Sequence, residues 1–278
     1  MRVTVVGTGY VGTVTGACLA YLGHRVTCVD TDQSKVERLR KGDPVIYEPG
    51  LDQLLALAIK KGSIDFETDI SGPARESEAI FIAVGTPPLP SGESNLAYLE
   101  AAARGIGAAM DASRYRVVIN KSTVPVGSGN LVGALIREGI SEASGKIEFS
   151  VASNPEFLRE GSAIHDSLYP DRIVIGTEDQ RSLGVLRELY SPLAEQKFNA
   201  PSFSPRPERI KSAPLVTTTL TSAEMIKYSA NAFLAMKIGF ANEIANICER
   251  VGAEVTEVMT GIGLDSRIGV GFLNAGIG

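Results

Sequence analysis

Residues 3–30, "VTVVGTGYVGTVTGACLAYLGHRVTCVD", carry the pattern that decides the fold. A short β-branched run ends at Gly7, and Gly7, Gly9 and Gly12 stand in G-x-G-x-x-G spacing. A helical stretch of small residues follows, then a second β-branched run closed by Asp30. A dinucleotide requires this order. The first glycine makes the tight turn, the second lets a pyrophosphate approach the backbone, the third packs helix on strand, and the helix N-terminus offers N–H groups to the phosphates. Asp30 lies about 20 residues on, where a carboxylate accepts hydrogen bonds from the adenosine ribose. A carboxylate there repels a 2′-phosphate, which favours NAD over NADP. FAD uses the same fingerprint, so spacing alone leaves it open. The bland alternative is a helix packed tightly on a strand with no ligand, against which the flanking strands and Asp30 weigh.

The run from Val3 to Gly23 holds no charge, yet it is neither a signal peptide nor a membrane span. Thr4, Thr8, Thr13 and Thr15 with Gly7, Gly9, Gly12 and Gly16 make it too polar for hydrocarbon, and among charged residues Arg2 alone precedes it.

The two runs of this stretch, "RVTVV" and "RVTCV", are followed outward by "EAIFIAV", "RVVIN", "EFSVA" and "RIVIG", short β-branched runs separated by amphipathic segments. Such alternation predicts an α/β fold, a Rossmann-type doubly wound parallel sheet. The runs are apolar on both faces, as strands covered by helices on each side must be. "NAPSFSPRPERIKSAP" at 199–214, with its four prolines, interrupts all periodicity. Beyond it a long central α-helix is predicted, with Ser222 as N-cap and Gly252 as its end. The expected organisation is a dinucleotide domain over 1–200, a linker or surface loop over 201–218, and a central helical region over 219–278.

The chain has 278 residues and a net charge of −5 without basic blocks, which argues against nucleic acid or an anionic membrane as main partner. Cys18, Cys28 and Cys248 lack CxxC spacing, and with His24 and His165 the only histidines no metal cluster is expected. A reducing, cytoplasmic setting fits.

Further stretches sit where strands should end or along the long helix: "AVGTPP" (83–88), "NKSTVPVGSG" (120–129), "SNPEFLREGSAIHDSLYPDRIVIG" (153–176) and "EMIKYSANAF" (224–233). The carboxyl ends of parallel strands are where such sheets bind ligands. Lys227 and Asn231, four apart, project from one helix face. Together with "PVIYEPGLDQLL" (44–55) and "GIGLDSRIGVGFL" (261–273), these stretches resemble the UDP-glucose 6-dehydrogenase family, within the wider UDP-glucose/GDP-mannose dehydrogenases. The likeness covers nearly the whole chain.

The resemblance implies oxidation of a UDP-glucose 6-hydroxyl to a carboxylate, giving UDP-glucuronate, in two NAD-dependent steps through a cysteine thioester. It implies that Thr123 holds a water near the reacting carbon and that Glu156 is the general base. Lys227 and Asn231 would stabilise an oxyanion. Tyr10, Val11, Lys35, Thr86 and Thr123 would touch NAD beside Gly7, Gly9, Gly12 and Asp30. Phe157, Leu158, Glu160, Arg267, Phe272, Leu273 and Asn274 would bind substrate alongside Glu156, Lys227 and Asn231. The apolar setting of Asn231, among alanines and Phe233, favours a functional role for its amide. In the family a cysteine-bearing segment follows the glycine-rich run, and this chain reaches Gly278 before such a cysteine is expected. Cys18 and Cys248 on predicted helices and Cys28 on a predicted strand are expected to be buried structural thiols. The family also pairs its long helices across a two-fold axis, which suits Met225, Phe233, Met236, Phe240, Ile244 and Ile247 and implies a homodimer. A GDP-mannose or other UDP-sugar dehydrogenase, and a non-catalytic NAD-binding protein, stand as alternatives. His165 beside Asp166 is expected to be a surface residue.

Overall fold

The computed structural model of the chain describes residues 1–141 and 145–277. The first half of the sheet is built from β1 (Arg2–Val6), α1 (Tyr10–Tyr21), β2 (Arg25–Val29), α2 (Gln33–Arg40), α3 (Leu51–Lys61) and β3 (Ile64–Glu67). The second half follows as α4 (Ser71–Glu76), β4 (Ala79–Ile82), α5 (Ala97–Ala109), β5 (Arg116–Asn120), α6 (Ser128–Gly139) and β6 (Phe149–Ser153). Then come α7 (Ala163–Leu168), β7 (Ile173–Gly176), α8 (Gln180–Ala194), β8 (Leu215–Thr218), α9 (Leu220–Val251) and α10 (Val255–Gly263).

The strands form one sheet in the order β3-β2-β1-β4-β5-β6-β7-β8. The first six give the order of two mononucleotide-binding halves, with the reversal between β1 and β4. Side chains alternate between two cores. Val3, Val5, Ala79, Phe81, Val117 and Ile119 face a cluster shared with α1, α3, α7 and α8. Val6, Ile80, Ile82 and Val118 face another shared with α4, α5 and α6. A period of two with both sides apolar is what a sheet covered on each face demands, and the doubly wound expectation holds.

Three details differ from expectation. The β6–β7 pairing is antiparallel and amounts to Ser153 opposite Gly176, whereas the other pairings are parallel. Leu215–Thr218, inside the stretch expected to be a loop, forms β8 along β7. The cap of α9 is Thr219, whose Oγ1 accepts from Ser222 N at 3.2 Å, so Ser222 lies inside the first turn. The far end is as expected: Gly252 has φ +74°, and its N–H and that of Ala253 close on Cys248 O.

The chain divides into two compact units, Met1–Glu224 and Met225–Gly278. In the second, Ala241 of α9, Met259 of α10 and Leu273 form a small core with Ile244, Val255, Val258 and Ile262 around it. Residues 264–277 fold back along α9 within this unit. Lys237 Nζ donates to Ile268 O at 3.1 Å, and Asn242 exchanges two hydrogen bonds with the Gly276 backbone.

Candidate functional site

The glycine turn shows three different demands. Gly7 has φ +98°, and a Cβ there would lie 2.7 Å from Ala83 O. A Cβ on Gly12 would lie 1.8 Å from Gly7 O, so α1 could not sit against the turn. Gly9 has nothing within 4 Å of that position. The turn is therefore tight at its first and third glycines and open at the second, where a pyrophosphate has to approach. Gly9 is also the N-cap of α1 and has no side chain to occupy the first-turn N–H groups. These residues fit a dinucleotide.

Asp30 follows β2 at the carboxyl edge, with its side chain 12% exposed. Its Oδ2 accepts from Thr8 N at 2.9 Å and Thr8 Oγ1 at 2.7 Å, and its Oδ1 accepts from Asp32 N at 3.0 Å. Burial alone would raise its pKa, but those donors, with Lys35 Nζ 3.9 Å away, outweigh it and the net shift is downward. The carboxylate stays ionised and fixed in direction, as a ribose acceptor should be. Thr8 escaped the sequence reading, although a hydroxyl between the first two glycines was the available signal. Lys35 sits in the first turn of α2, where its N–H and that of Ser34 are capped by Asp32.

The ends of β4 and β5 meet at one point. Thr86 Oγ1 donates to Thr123 O at 2.7 Å, and Ser122 Oγ donates to Val84 O at 2.7 Å, tying the two loops together beside the reversal in strand order. Thr123 is exposed. After β6, Glu156, Phe157, Leu158 and Glu160 occupy one loop. Glu156 Oε2 accepts from Leu158 N at 2.6 Å, so its carboxylate is held by its own turn. Arg172 lies over the Phe157 ring at 3.8 Å, while Glu160 is exposed. The structure thus brings the glycine turn, Asp30, Thr86, Thr123 and the Glu156 loop to the carboxyl edge of one sheet. His165 is half-buried against Tyr169 rather than on the surface, and Asp166 pairs with Arg159.

Lys227 and Asn231 lie one turn apart on the part of α9 that belongs to the second unit. Asn231 is exposed, so the apolar setting expected for its amide is not found. Arg267 is exposed and paired with Asp265 at 2.6 Å. Phe272, at φ +62°, and Asn274 are exposed, and Leu273 is buried in the small core. All three cysteines are free and buried. Burial pushes the Cys18 and Cys28 thiols up to about 12, so neither is an activated nucleophile. Among the described residues no group of His, Cys, Asp and Glu could hold a metal ion. Likewise, no helix is long and apolar enough to cross a membrane.

Known proteins share this arrangement. Residues 1–194 match the NAD binding domain of the UDP-glucose/GDP-mannose dehydrogenase family, and residues 221–278 match its central domain. The chain belongs to the UDP-glucose/GDP-mannose dehydrogenase family. It is 48% identical to UDP-glucose 6-dehydrogenase TuaD of Bacillus subtilis, with 100% of this chain and 55% of that protein covered. It is also 48% identical to the UDP-glucose 6-dehydrogenase of Rhizobium meliloti, covering 100% of this chain and 60% of that one. A UDP-glucose dehydrogenase structure from Pyrobaculum islandicum superposes with a TM-score of 0.87 at 42% identity, over 99% of this chain and 59% of that one. GDP-mannose dehydrogenase from Pseudomonas aeruginosa gives 0.84 at 37% identity, over 95% and 57%. The chain therefore spans a little over half the length of these dehydrogenases, and the cofactor of its N-terminal domain is NAD.

Proposed function

We propose that this chain serves in the oxidation of UDP-glucose to UDP-glucuronate. The observation that carries the reading is the gathering of the glycine turn, Asp30, the Thr86–Thr123 bond and the Glu156 loop at one sheet edge, at a switch point where α/β sheets bind ligands. When bound, NAD supplies a hydride acceptor. Gly7, Gly9, Tyr10, Val11, Gly12, Asp30, Lys35, Thr86 and Thr123 are the residues proposed to hold it. Thr123 would also place a water by the reacting carbon, and Glu156 would take a proton from it. Lys227 and Asn231 would donate to a developing oxyanion, where each such donor is worth about 2.7–4 kcal/mol. Phe157, Leu158, Glu160, Arg267, Phe272, Leu273 and Asn274 would contact the substrate. UDP-glucose is preferred to GDP-mannose because relatives named for UDP-glucose reach 48% identity along the chain, against 37% for the GDP-mannose dehydrogenase. The proposed organisation keeps an NAD domain over 1–200, a connection over 201–218 and a central region over 219–278, in a cytoplasmic setting.

The partner proposed for α9 is a second copy of this chain. Met225, Phe233, Met236, Phe240 and Ile247 are exposed along it, whereas Ile244 is spent on packing against α10. Sedimentation tests this, and a monodisperse monomer at high concentration would count against it.

A second reading, a non-catalytic NAD-binding protein, needs only the glycine turn and the fixed Asp30 carboxylate. Calorimetry with NAD, NADP, UDP-glucose and GDP-mannose separates the readings. The expected result is NAD bound tenfold or more tighter than NADP and UDP-glucose bound in preference to GDP-mannose. Equal affinity for NAD and NADP would remove the cofactor assignment, and binding of NAD with neither sugar nucleotide would favour the second reading.

A further inference from the structure

Glu48 lies in the loop between α2 and α3 and is 5% exposed. A carboxylate so deeply placed needs donors, since burying a charge without them is costly. It has three. Tyr10 Oη and Gly161 N donate to Oε2, the latter at 2.9 Å, and Ala163 N donates to Oε1 at 2.8 Å. Tyr10 is the first helical residue after Gly9, inside the G-x-G-x-x-G turn. Gly161 and Ala163 close the loop that carries Glu156. Tyr10 Oη also lies 3.4 Å from Arg159 O, and Gly161 N is shared with Tyr10 Oη at 3.3 Å. One buried carboxylate therefore joins two segments that are about 150 residues apart in sequence and that both serve the sheet edge.

The loop bearing Glu48 is itself held from behind. A Cβ on Gly50 would lie 2.6 Å from the Phe203 ring, and Tyr169 Oη donates to Ser204 O at 2.6 Å. The proline-rich stretch 199–214 thus lies as a strap against the Glu48 loop and α7. Burial and the bond to Glu48 also keep the Tyr10 phenol protonated, which makes it a constant donor.

We propose that Glu48 is a positioning residue: it couples the dinucleotide turn, through Tyr10, to the 154–163 loop, so that a nucleotide seated on the turn fixes where the Glu156 carboxylate stands. The proposal rests on the NAD-site reading above. A carboxylate is required rather than its amide, because each oxygen receives a backbone N–H. In Glu48→Gln one end of the group is NH2, and whichever way it turns it points a donor at a donor.

The experiment is amide hydrogen exchange on the 278-residue chain with and without NAD, for wild type, Glu48→Gln and Tyr10→Phe, with NAD affinity measured in parallel. In the NAD-free state, exchange over 155–163 is expected to quicken at least tenfold in Glu48→Gln and several-fold in Tyr10→Phe, with β1 and β4 unchanged. In wild type, NAD is expected to slow exchange over 155–163 at least fivefold. In Glu48→Gln that slowing should vanish while NAD affinity stays within about threefold. A role in stability alone would quicken exchange yet leave the NAD-dependent slowing in place, and that result overturns the proposal. So does unchanged exchange over 155–163, or equal quickening across the whole first unit in both variants. If Glu48→Gln does not fold, Tyr10→Phe decides by the same regional criterion. If wild type binds no NAD, the NAD-site reading fails, while the NAD-free exchange still reports on the Glu48 link by itself.

Discussion

Residues 7–16 and 261–276 are both glycine-rich, yet a side chain would be received differently in each. In the first stretch Gly7, Gly12 and Gly16 are closed: an added Cβ would lie 2.7 Å from Ala83 O, 1.8 Å from Gly7 O and 2.4 Å from Cys28 Sγ. Gly9 alone is open. In the second, Gly261, Gly269, Gly271 and Gly276 are all open and only Gly263 is tight, 3.1 Å from Val270. Closed glycines are required by the fold itself. An open glycine, where it is required at all, is required by something else, either a positive φ, as at Gly269, or a ligand that comes close to backbone. Gly9, Gly261 and Gly271 are open without a positive φ, and of these Gly9 is the one that caps the N-terminus of α1 in the glycine turn, where a ligand would be the reason.

The largest expected effect tests the closed class. Gly12→Ala should cost about 3 kcal/mol or more, since the clash is with backbone in a packed turn. Urea unfolding measures it, and a cost near zero would mean that α1 is free to move off β1. Next comes the open member of the same turn. Gly9→Ala should leave unfolding free energy within about 0.5 kcal/mol of wild type and weaken NAD at least tenfold, about 1.4 kcal/mol. If calorimetry finds NAD affinity unchanged, Gly9 is no more ligand-directed than Gly261. Smaller and opposite in sign, Gly261→Ala in α10 should stabilise the chain by about 0.4–1 kcal/mol, because the site is open, helical and without a positive φ. A loss of stability there would show that the second stretch is as constrained as the first.

The smallest expected effect is one of pH. The folded pKa of Asp30 is lowered below 3.8, so the carboxylate is already ionised at any higher pH. Its contribution to stability is then present above 3.8 and lost as pH falls through the lower folded value. NAD affinity, followed by fluorescence titration, should accordingly be flat in its Asp30-dependent part from about pH 8 to pH 5. A fall within that window that disappears in Asp30→Asn would place the pKa higher and weaken the case for a fixed ribose acceptor.

What the sequence displayed follows from where residues sit. β1, β2 and β4–β7 were legible as apolar runs because both faces are covered. β3 and β8 are the two edges of the sheet. "IDFE" carries two carboxylates and alternates in burial, and "LVTT" is half-exposed, so neither forms an apolar run. The glycine turn and Asp30 were legible because their partners are close in sequence. Glu48 was not, since its partners Gly161 and Ala163 lie 113 and 115 residues away and no periodicity marks a buried carboxylate in a loop. The setting expected of Asn231 differed because residues one or two apart on a helix do not face each other. Thr219 was missed as a cap because Ser222, a residue type preferred over Thr at N-caps, stands three positions on.

The single antiparallel pair between β6 and β7 in an otherwise parallel sheet of the described residues has a mechanical consequence. By hydrogen-bond order the sheet has eight strands, but by backbone linkage it is six and two. Side chains reinforce the join: Ser150 of β6 and Tyr115 donate to Asp179 just after β7. Asn154, just after β6, donates to Val174 O of β7 at 2.7 Å, while its Oδ1 takes Lys121 Nζ at 3.0 Å and the Tyr190 hydroxyl at 2.5 Å. A pulling force applied across the strands would meet a single registered backbone pair at this seam, whereas β7 and β8 are held to each other by four.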